Sequence, residues 1–578
     1  MGYQFHSLKV SSALVALVLL APAASSATAA VAIDEPVVAS PVVSGATTTE
    51  AAAVNLAVSV DIASPRPFWI FPEVDPGLPF LIDVAAFNVG ELAAENVTVV
   101  VDSGSLEILT MPEYCDAIAG RVQCHLDEVV RGSALRWRIE AVAPPDADGS
   151  SFPITVSITS PQGDADASNN LVTRHVPTFR TWYVNNRMDG GIGSLRWAID
   201  QARSCDAAPC KIAFRIEPES GSLWHTIEPA TPLPELTAPN VWVDGMTQTL
   251  FFGDTNPAGP EIELKGRFVS SGSGLVVTAP CRSRISDLAI NEFPENGVLL
   301  LSSASCTSRF YQAREVMNNY IGTSADGTSA AGNLRGVFVD TARPPEDQAR
   351  LSDLSLFVGG NLISGNSLTG VYLQSGSGQI VRNVIGLNRD LTVGLGNGAS
   401  GIYFGGESTL STVIGNYIGF NHHFGIGIRS TDQRIGILAN SIQANRQTGI
   451  DYELDGLPTP SALEPPVIQS VIEDTAAGVT TIRGTIAYLG GTTSSPSYRY
   501  RVYLYANDMP DPSGRGEGQY FLAEVESTDG TFAYSHPGEL PGRWVTSTLV
   551  ETTLICVFAD ECEFVRSSEF GRVVPASE

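Results

Sequence analysis

The chain has 578 residues, 34 lysines and arginines against 62 aspartates and glutamates, and a formal net charge of -28. With 43% hydrophobic and 17% charged residues it belongs among folded chains, and its length calls for roughly three or four domains. Its only lysines are Lys9, Lys211 and Lys265, so nucleic-acid backbones and anionic membrane surfaces are excluded as partners.

The first predicted element is an address. Lys9 precedes an apolar run from Ser11 to Ala24 and the small residues Ala27-Thr28-Ala29, the layout of a secretory signal peptide over 1–29. That run is too short to span a bilayer, and no other stretch is long enough, so membrane insertion is not expected. An exported protein, extracellular or periplasmic, is the expectation. Residues 30–53, rich in Ala, Val, Thr and Pro, read as a flexible linker.

An oxidising destination makes the eight cysteines disulfide candidates. Loop-closure entropy favours the local pairs Cys115–Cys124, Cys205–Cys210, Cys281–Cys306 and Cys556–Cys562. There is no CxxC and only seven His, so no metal site is expected of them.

From Val54 to Pro177 apolar and polar residues alternate between turn signals, as in PFLIDVAAFN and FPITVSIT, which predicts an antiparallel β-sandwich over 54–177. The segment FNVGELAAENVTV (Phe87 to Val99), the Cys115/Cys124 pair and DADASNN (Asp164 to Asn170) resemble the Ig-like repeat-type domains of bacterial exported proteins. Asp164, Asp166 and Asn169 have the make-up of an Asx turn, calcium ligation being the alternative.

Next comes a short amphipathic helix. Ser194 suits the N-cap, and Leu195, Ala198, Ile199 and Ala202 recur at helical spacing. GSLRWAIDQA (Gly193 to Ala202) resembles the entry motif of helix-capped right-handed parallel β-helices of bacterial exported proteins, in the pectate-lyase-like superfamily. That resemblance implies a helix covering one end of a stack of strands.

The largest feature is an internal repeat. Asn-x-Ile occurs at Asn319, Asn361, Asn383, Asn416 and Asn440, followed by Gly-Val or Gly-Ile at Gly336, Gly370, Gly401, Gly425 and Gly449. The offsets are 17, 9, 18, 9 and 9, a nine-residue unit expanded twice by a loop. The last two Gly-to-Gly intervals are both 24. Short β-branched strands at that period fit one coil of a parallel β-helix, each adding about 4.8 Å. The Ile should face inward and the Asn should stack on its copies at a turn, where it also tolerates left-handed backbone. NYIGTSADGTSAAGNLRGVFV (Asn319 to Val339) is similar to the common coil sequence of the same family, and the likeness spans Thr181 to Leu457. The predicted β-helix occupies 178–460.

Alternating strands return in 465–578, predicting a second β-sandwich; Gly514 to Gly530 and Ser567 to Arg572 resemble a module often found after such helices. Asp508, Asp511 and Glu517 there are read as turn residues, with calcium again the alternative. The fold class expected is therefore all-β, a right-handed parallel β-helix flanked by two sandwiches. No cofactor is called for.

Chemistry leaves few marks. A glycosidase of this fold calls for clustered Asp, often beside Gly-His-Gly, and neither an Asp-Asp pair nor that triplet occurs; His422 and His423 come nearest. Arg382, Arg389 and Asp390 lack the acidic cluster of a calcium-dependent lyase. A binding face is better marked. Side chains alternate along a strand, so the outward positions after each repeat glycine read Phe338, Tyr372, Tyr403, Gly427 and Asp451. Beyond them lie Asp340, Gln374, Gly405, Arg429 and Glu453. Stacked in register, Phe338, Tyr372 and Tyr403 would form a platform for sugar rings, with Gln374 and Arg429 at its flank and the loops 323–333 and 387–397 as a wall. The simpler account is that aromatic residues favour strands or pack under a neighbouring loop. The expected function is a monomeric, secreted protein that binds polysaccharide or cell-surface glycan, or acts in adhesion, without a recognisable catalytic site. The alternatives are a polysaccharide lyase or glycoside hydrolase, and a purely structural role. A neutral or mildly charged sugar suits the acidic chain best.

Overall fold

The computed structural model describes residues 53–577 apart from 64–73, 119, 206–208, 280–281, 303–313, 342–355, 409, 430–433, 453–462, 488–497, 512–515 and 555–562. The signal peptide, nearly all of the linker, Glu453, and the Cys281–Cys306 and Cys556–Cys562 pairs lie wholly or partly outside the described residues. Regular structure among the described residues is nearly all strand, with two short α-helices, Leu195–Ala202 and Met246–Phe252. It divides into two compact units, Met1–Thr181 with Ala207–Cys210, and Trp182–Asp206 with Lys211–Glu578.

In the first unit, alternation of apolar and polar residues builds two antiparallel sheets. One has the order Leu56–Ala63, Pro79–Asn88, Ala134–Val142, Glu107–Thr110; the other runs Cys115–Ile118, Arg121–Val129, Ala94–Asp102, Ser151–Thr159, Leu171–Pro177. Their inward residues share one core, with Ile82, Val84, Trp137 and Ile139 from the first sheet and Val99, Val101, Val122 and Val156 from the second. Cys115 and Cys124 sit opposite each other on adjacent strands and form a disulfide. Asp164 is occupied by backbone: its carboxylate accepts from Leu56 N and Asp166 N. Asp166 in turn accepts from Ser168, and Asn169 donates to Asn55.

The second unit opens with helix α1, Leu195–Ala202. Ser194 Oγ caps it by accepting from Trp197 N at 3.2 Å, and Leu195, Ala198, Ile199 and Ala202 are its buried face. Cys205 and Cys210, on either side of the segment that follows α1, are both disulfide-bonded.

Three parallel sheets of nine, eight and seven strands follow, and the chain visits them in turn, once per coil. This is the arrangement of a β-helix. Its inner face is aliphatic. The triplet isoleucines Ile321, Ile363, Ile385, Ile418 and Ile442 are fully buried, as are Val337, Val371, Ile402 and Ile426 after the repeat glycines. On the outward face of the nine-stranded sheet, two ion pairs, Lys211–Asp244 and Arg284–Glu315, are buried around Trp242, with both cations over its ring. Burial pushes the Glu315 carboxyl up, opposed by the Arg284 charge.

The turn between the first two sheets is held by the predicted asparagines. In Asn319, Asn361, Asn383 and Asn416 the backbone N–H and Nδ2 both donate to Oδ1 of the next asparagine, at 2.8–3.1 Å. Each Nδ2 also donates to a carbonyl of the preceding coil, such as Asn383 to Val358 O at 2.9 Å. Left-handed backbone, however, falls on the residue before each asparagine: Asn318, Gly360, Arg382, Gly415 and Ala439 all have φ between 50° and 67°. The asparagines need a conformation that aims the amide along the stack, so their predecessors take the positive φ.

A second ladder runs through Asn333, Asn366, Asn397, Asn421 and Asn445, again with N and Nδ2 of each donating to the Oδ1 of the next. The two expanded loops turn back on themselves through the bridges Thr323↔Ala330 and Leu387↔Gly394, and Arg389 N donates to Gly327 O, so one loop lies on the other.

The C-terminal strands form a three-stranded and a five-stranded antiparallel sheet, whose inward residues Ile482, Phe532, Val502, Leu504 and Leu549 share a core. They belong to the same compact unit as the coils and cover the last one. Ile442 N donates to Gly518 O at 2.8 Å, Ile437 N to Ser567 Oγ at 2.8 Å, and Tyr452 Oη to Ser567 O at 2.7 Å. The second ladder ends here on a carboxylate: Asn445 N and Nδ2 both donate to Glu517 Oε1 at 3.0 Å. An open end of a parallel stack would leave unpaired backbone and amide groups, and this covering satisfies them.

Candidate functional site

The seven-stranded sheet carries the outward column expected from the sequence. Parallel register aligns Val276, Leu299, Phe338, Tyr372, Tyr403, Gly427 and Asp451. Val276, Leu299 and the three aromatic side chains are half-buried, forming an apolar strip across five coils. The Phe338 and Tyr372 rings lie 5.2 Å apart between centroids, as do those of Tyr372 and Tyr403. Both pairs meet at 87°. The strip is therefore not a flat platform. Stacked coils bring the rings close enough for edge-to-face packing, which the aromatic quadrupole favours over face-to-face contact. The result is a ridged surface whose successive rings turn by a right angle.

Below Tyr403 the absence of a side chain matters. A Cβ at Gly427 would stand 2.8 Å from Tyr403 Cδ2 and 3.0 Å from Phe424 Cδ2, so both rings lie over this glycine. Phe424 thus extends the strip past Tyr403 from a neighbouring turn, and His423 packs beside it with ring centroids 6.3 Å apart. His422 and His423 are both exposed at that turn. At the upper end, the Arg335 guanidinium sits 5.4 Å from the Phe338 ring centre and 5.8 Å from that of Tyr372.

The flanking residues depart from the simple column. A register shift after Val339 pairs Asp340 with Ser375, so Gln374 is not its neighbour. Ser375 Oγ donates to Asp340 Oδ1 at 2.6 Å, and Gln374 instead accepts from Tyr372 Oη at 2.5 Å, fixing that ring. Irregularities of this kind add a residue to one strand, and alternation alone does not reveal them. Arg429 lies one residue beyond the strand Ile426–Ile428 and is exposed. Arg382 stands at a left-handed turn position, and Arg389 faces Asp390 at 3.3 Å and Pro257 O at 3.4 Å.

The strip ends at a cleft of about 240 Å³ lined by Phe424, Arg446, Gln447, Thr448, Asp451 and Asp511. Asp451 occupies the column position after Gly427 and accepts from Thr448 Oγ1 at 3.0 Å. Asp511 comes from the C-terminal region. Nearby, burial pushes the Glu517 carboxyl up to about 7; the Asn445 hydrogen bonds oppose the shift and the Asp511 charge adds to it. Asp508, grouped with these two in the sequence, accepts from Gln519 Nε2 and Tyr520 Oη. Among the described residues no three His, Cys, Asp or Glu side chains gather as metal ligands. Nor is any helix among them long and apolar enough to cross a membrane.

The sequence pattern places Phe338, Tyr372 and Tyr403 together but does not single out Arg335, Phe424 or the cleft. Arg335 precedes its repeat glycine, and Phe424 precedes Gly425 in the same way; reading outward residues on both sides of each glycine brings them in. Asp511 is joined to Asp451 only by the covering of the last coil.

No family model and no curated protein matches the sequence. Among solved structures, the chain is similar to the CARDB domain of a Pyrococcus furiosus protein in complex with di-metal ions, at 12% identity over 22% of this chain and 89% of that one, with a TM-score of 0.16. It is similar to the Agl-KA catalytic domain at 14% identity over 70% of this chain and 73% of that one, with a TM-score of 0.23. A third likeness is to the catalytic domain of a GH87 alpha-1,3-glucanase in complex with tetrasaccharides, at 9% identity over 69% and 91%, with a TM-score of 0.15. These likenesses are too remote to assign an activity.

Proposed function

We propose that this chain is a secreted right-handed β-helix protein that holds an extracellular polysaccharide along the strip from Phe338 to Phe424, its two antiparallel regions serving as Ig-like flanking modules. The observation that carries this reading is the register of Phe338, Tyr372 and Tyr403 on successive coils, with ring centres 5.2 Å apart and part of each ring open to solvent. Aromatic faces with a few fixed polar groups beside them are how proteins commonly hold ring-shaped polar ligands. Arg335, Gln374 and Asp340 supply the polar groups. The rings alternate in orientation, so a sugar stacks on one ring and meets the edge of the next, which favours a chain that twists along its length. Charge favours a neutral polymer, since a chain of net charge -28 repels a polyanion.

Retention of the purified protein on insoluble polysaccharides tests this. Tyr372→Ala and Tyr403→Ala should each lower retention at least tenfold on the polymer that holds the wild type, at a temperature where circular dichroism shows both variants fully folded. Unchanged retention in both variants refutes the strip. Release of new reducing ends or of unsaturated sugar ends by the wild type would replace binding with hydrolysis or lyase chemistry.

A further inference from the structure

The strip has direction, and one of its ends is closed. Going down the column, Tyr403 is followed by Gly427 and then by Asp451, which lies in the wall of the cleft. No further coil continues the column among the described residues. Ile442 N is taken by Gly518 O, and Asn445 has Glu517 where its next asparagine would be. Asp511 enters the cleft from that same C-terminal covering. A polymer lying along the rings therefore meets the cleft wall two positions past Tyr403.

The lining fits one kind of end. Phe424 offers an aromatic ring at the mouth. Asp451 and Asp511 bring carboxylate oxygens and Arg446 and Gln447 bring donors, while the Thr448 hydroxyl donates to Asp451. A pyranose at a chain terminus carries adjacent hydroxyls that can donate to the carboxylates and accept from Arg446, together with an apolar ring face for Phe424. The net charge of -28 on the chain disfavours a uronate or sulfated terminus. The volume suits a single sugar ring with bridging water rather than a continuing strand.

Resting on the reading of the strip as a polysaccharide site, we propose that this cleft is an end-recognition subsite that takes the terminal residue of a neutral pyranose polymer, so that the protein binds chain ends rather than chain interiors.

The test is stoichiometry against length. Size-fractionated dextran, amylose, laminarin, mannan and galactan, with polygalacturonate as the acidic control, are titrated with the full chain and the molecules bound per polymer chain are counted by light scattering. One protein per chain, whatever the polymer length, is expected for a neutral polymer, together with at least a tenfold loss of affinity in Asp451→Asn and Asp511→Asn. Binding that grows in proportion to length, still weakened by Tyr372→Ala, overturns the end subsite and leaves the strip standing. Binding insensitive to Tyr372→Ala and Tyr403→Ala overturns the strip and the subsite with it, as does failure of every neutral polymer to bind. Tighter binding of polygalacturonate than of any neutral polymer also overturns the proposal. Protection of the Ile442 and Asn445 amides from hydrogen exchange, not reduced in the two aspartate variants, shows that the last coil is still covered.

Discussion

Replacing Glu517 by glutamine isolates the energetic cost of ending an amide ladder on a carboxylate. Glu517 is 8% exposed, and its Oε1 accepts both donors of Asn445. Its folded-state pKa is pushed up from 4.5 to about 7, chiefly by burial. Because the folded state holds this proton more tightly than the unfolded state, it binds more protons between those two values, and stability falls as pH rises through that window. At 1.36 kcal/mol per pH unit, the loss is about 3 kcal/mol, complete above about pH 7 and absent below about 4.5. Glutamine keeps an Oε1 acceptor in place but cannot ionise. The opening free energy of the Ile442 and Asn445 amides, from native-state hydrogen exchange corrected for intrinsic rate, should fall by about 3 kcal/mol between pH 4.5 and 8 in the wild type and stay level in Glu517→Gln. At pH 8 the variant should be the more stable protein. Equal pH slopes in the two proteins would refute the reasoning, and so would a variant less protected at pH 8.

Asn383→Ala removes the acceptor of two buried donors of Asn361 and the donors to Val358 O and Asn416 Oδ1, so denaturant unfolding of the coils should show a loss of about 3 to 5 kcal/mol. Gly427→Ala puts a methyl 2.8 Å from Tyr403, which must swing away; polysaccharide retention should drop several-fold while the circular dichroism of the sheets is unchanged. Ser194→Ala strips the cap from α1 and should cost about 1 kcal/mol in thermal unfolding, whereas Ser194→Asp should restore it.

The parts of this molecule visible in the sequence are those where one residue type recurs for one physical reason. The Asn-x-Ile triplets mark both the amide ladder and the inward isoleucines, because each coil repeats the same turn and the same core position. Helix α1 is equally plain, since Ser194 and four apolar residues at helical spacing suffice to specify it. The second ladder is obscured by the loops. Measured from the triplet asparagines, its members fall at 14, 5, 14, 5 and 5 residues; counted back from the repeat glycines they fall at 3, 4, 4, 4 and 4, nearly constant. The aromatic column could be read from alternation, but ring orientation follows from packing between coils, and the position of Gln374 from a register shift. Nothing local announces the cleft, whose two aspartates are 60 residues apart and meet only through the covering of the last coil.

The paired ladders also make the stack a ruler that ignores loop length. Each coil is recognised by its neighbours through two amides and an inward aliphatic set, while the expanded loops leave that contact untouched. Excising residues 416–439, one 24-residue coil, would bring Asn383 to Asn440, Asn397 to Asn445 and Tyr403 directly above Asp451. Length can therefore change by whole coils with both ladders kept in register, although this particular excision also removes Phe424 from the cleft. The distance from Tyr403 to the closed end is a heritable variable, set by counting coils rather than by re-pairing either ladder.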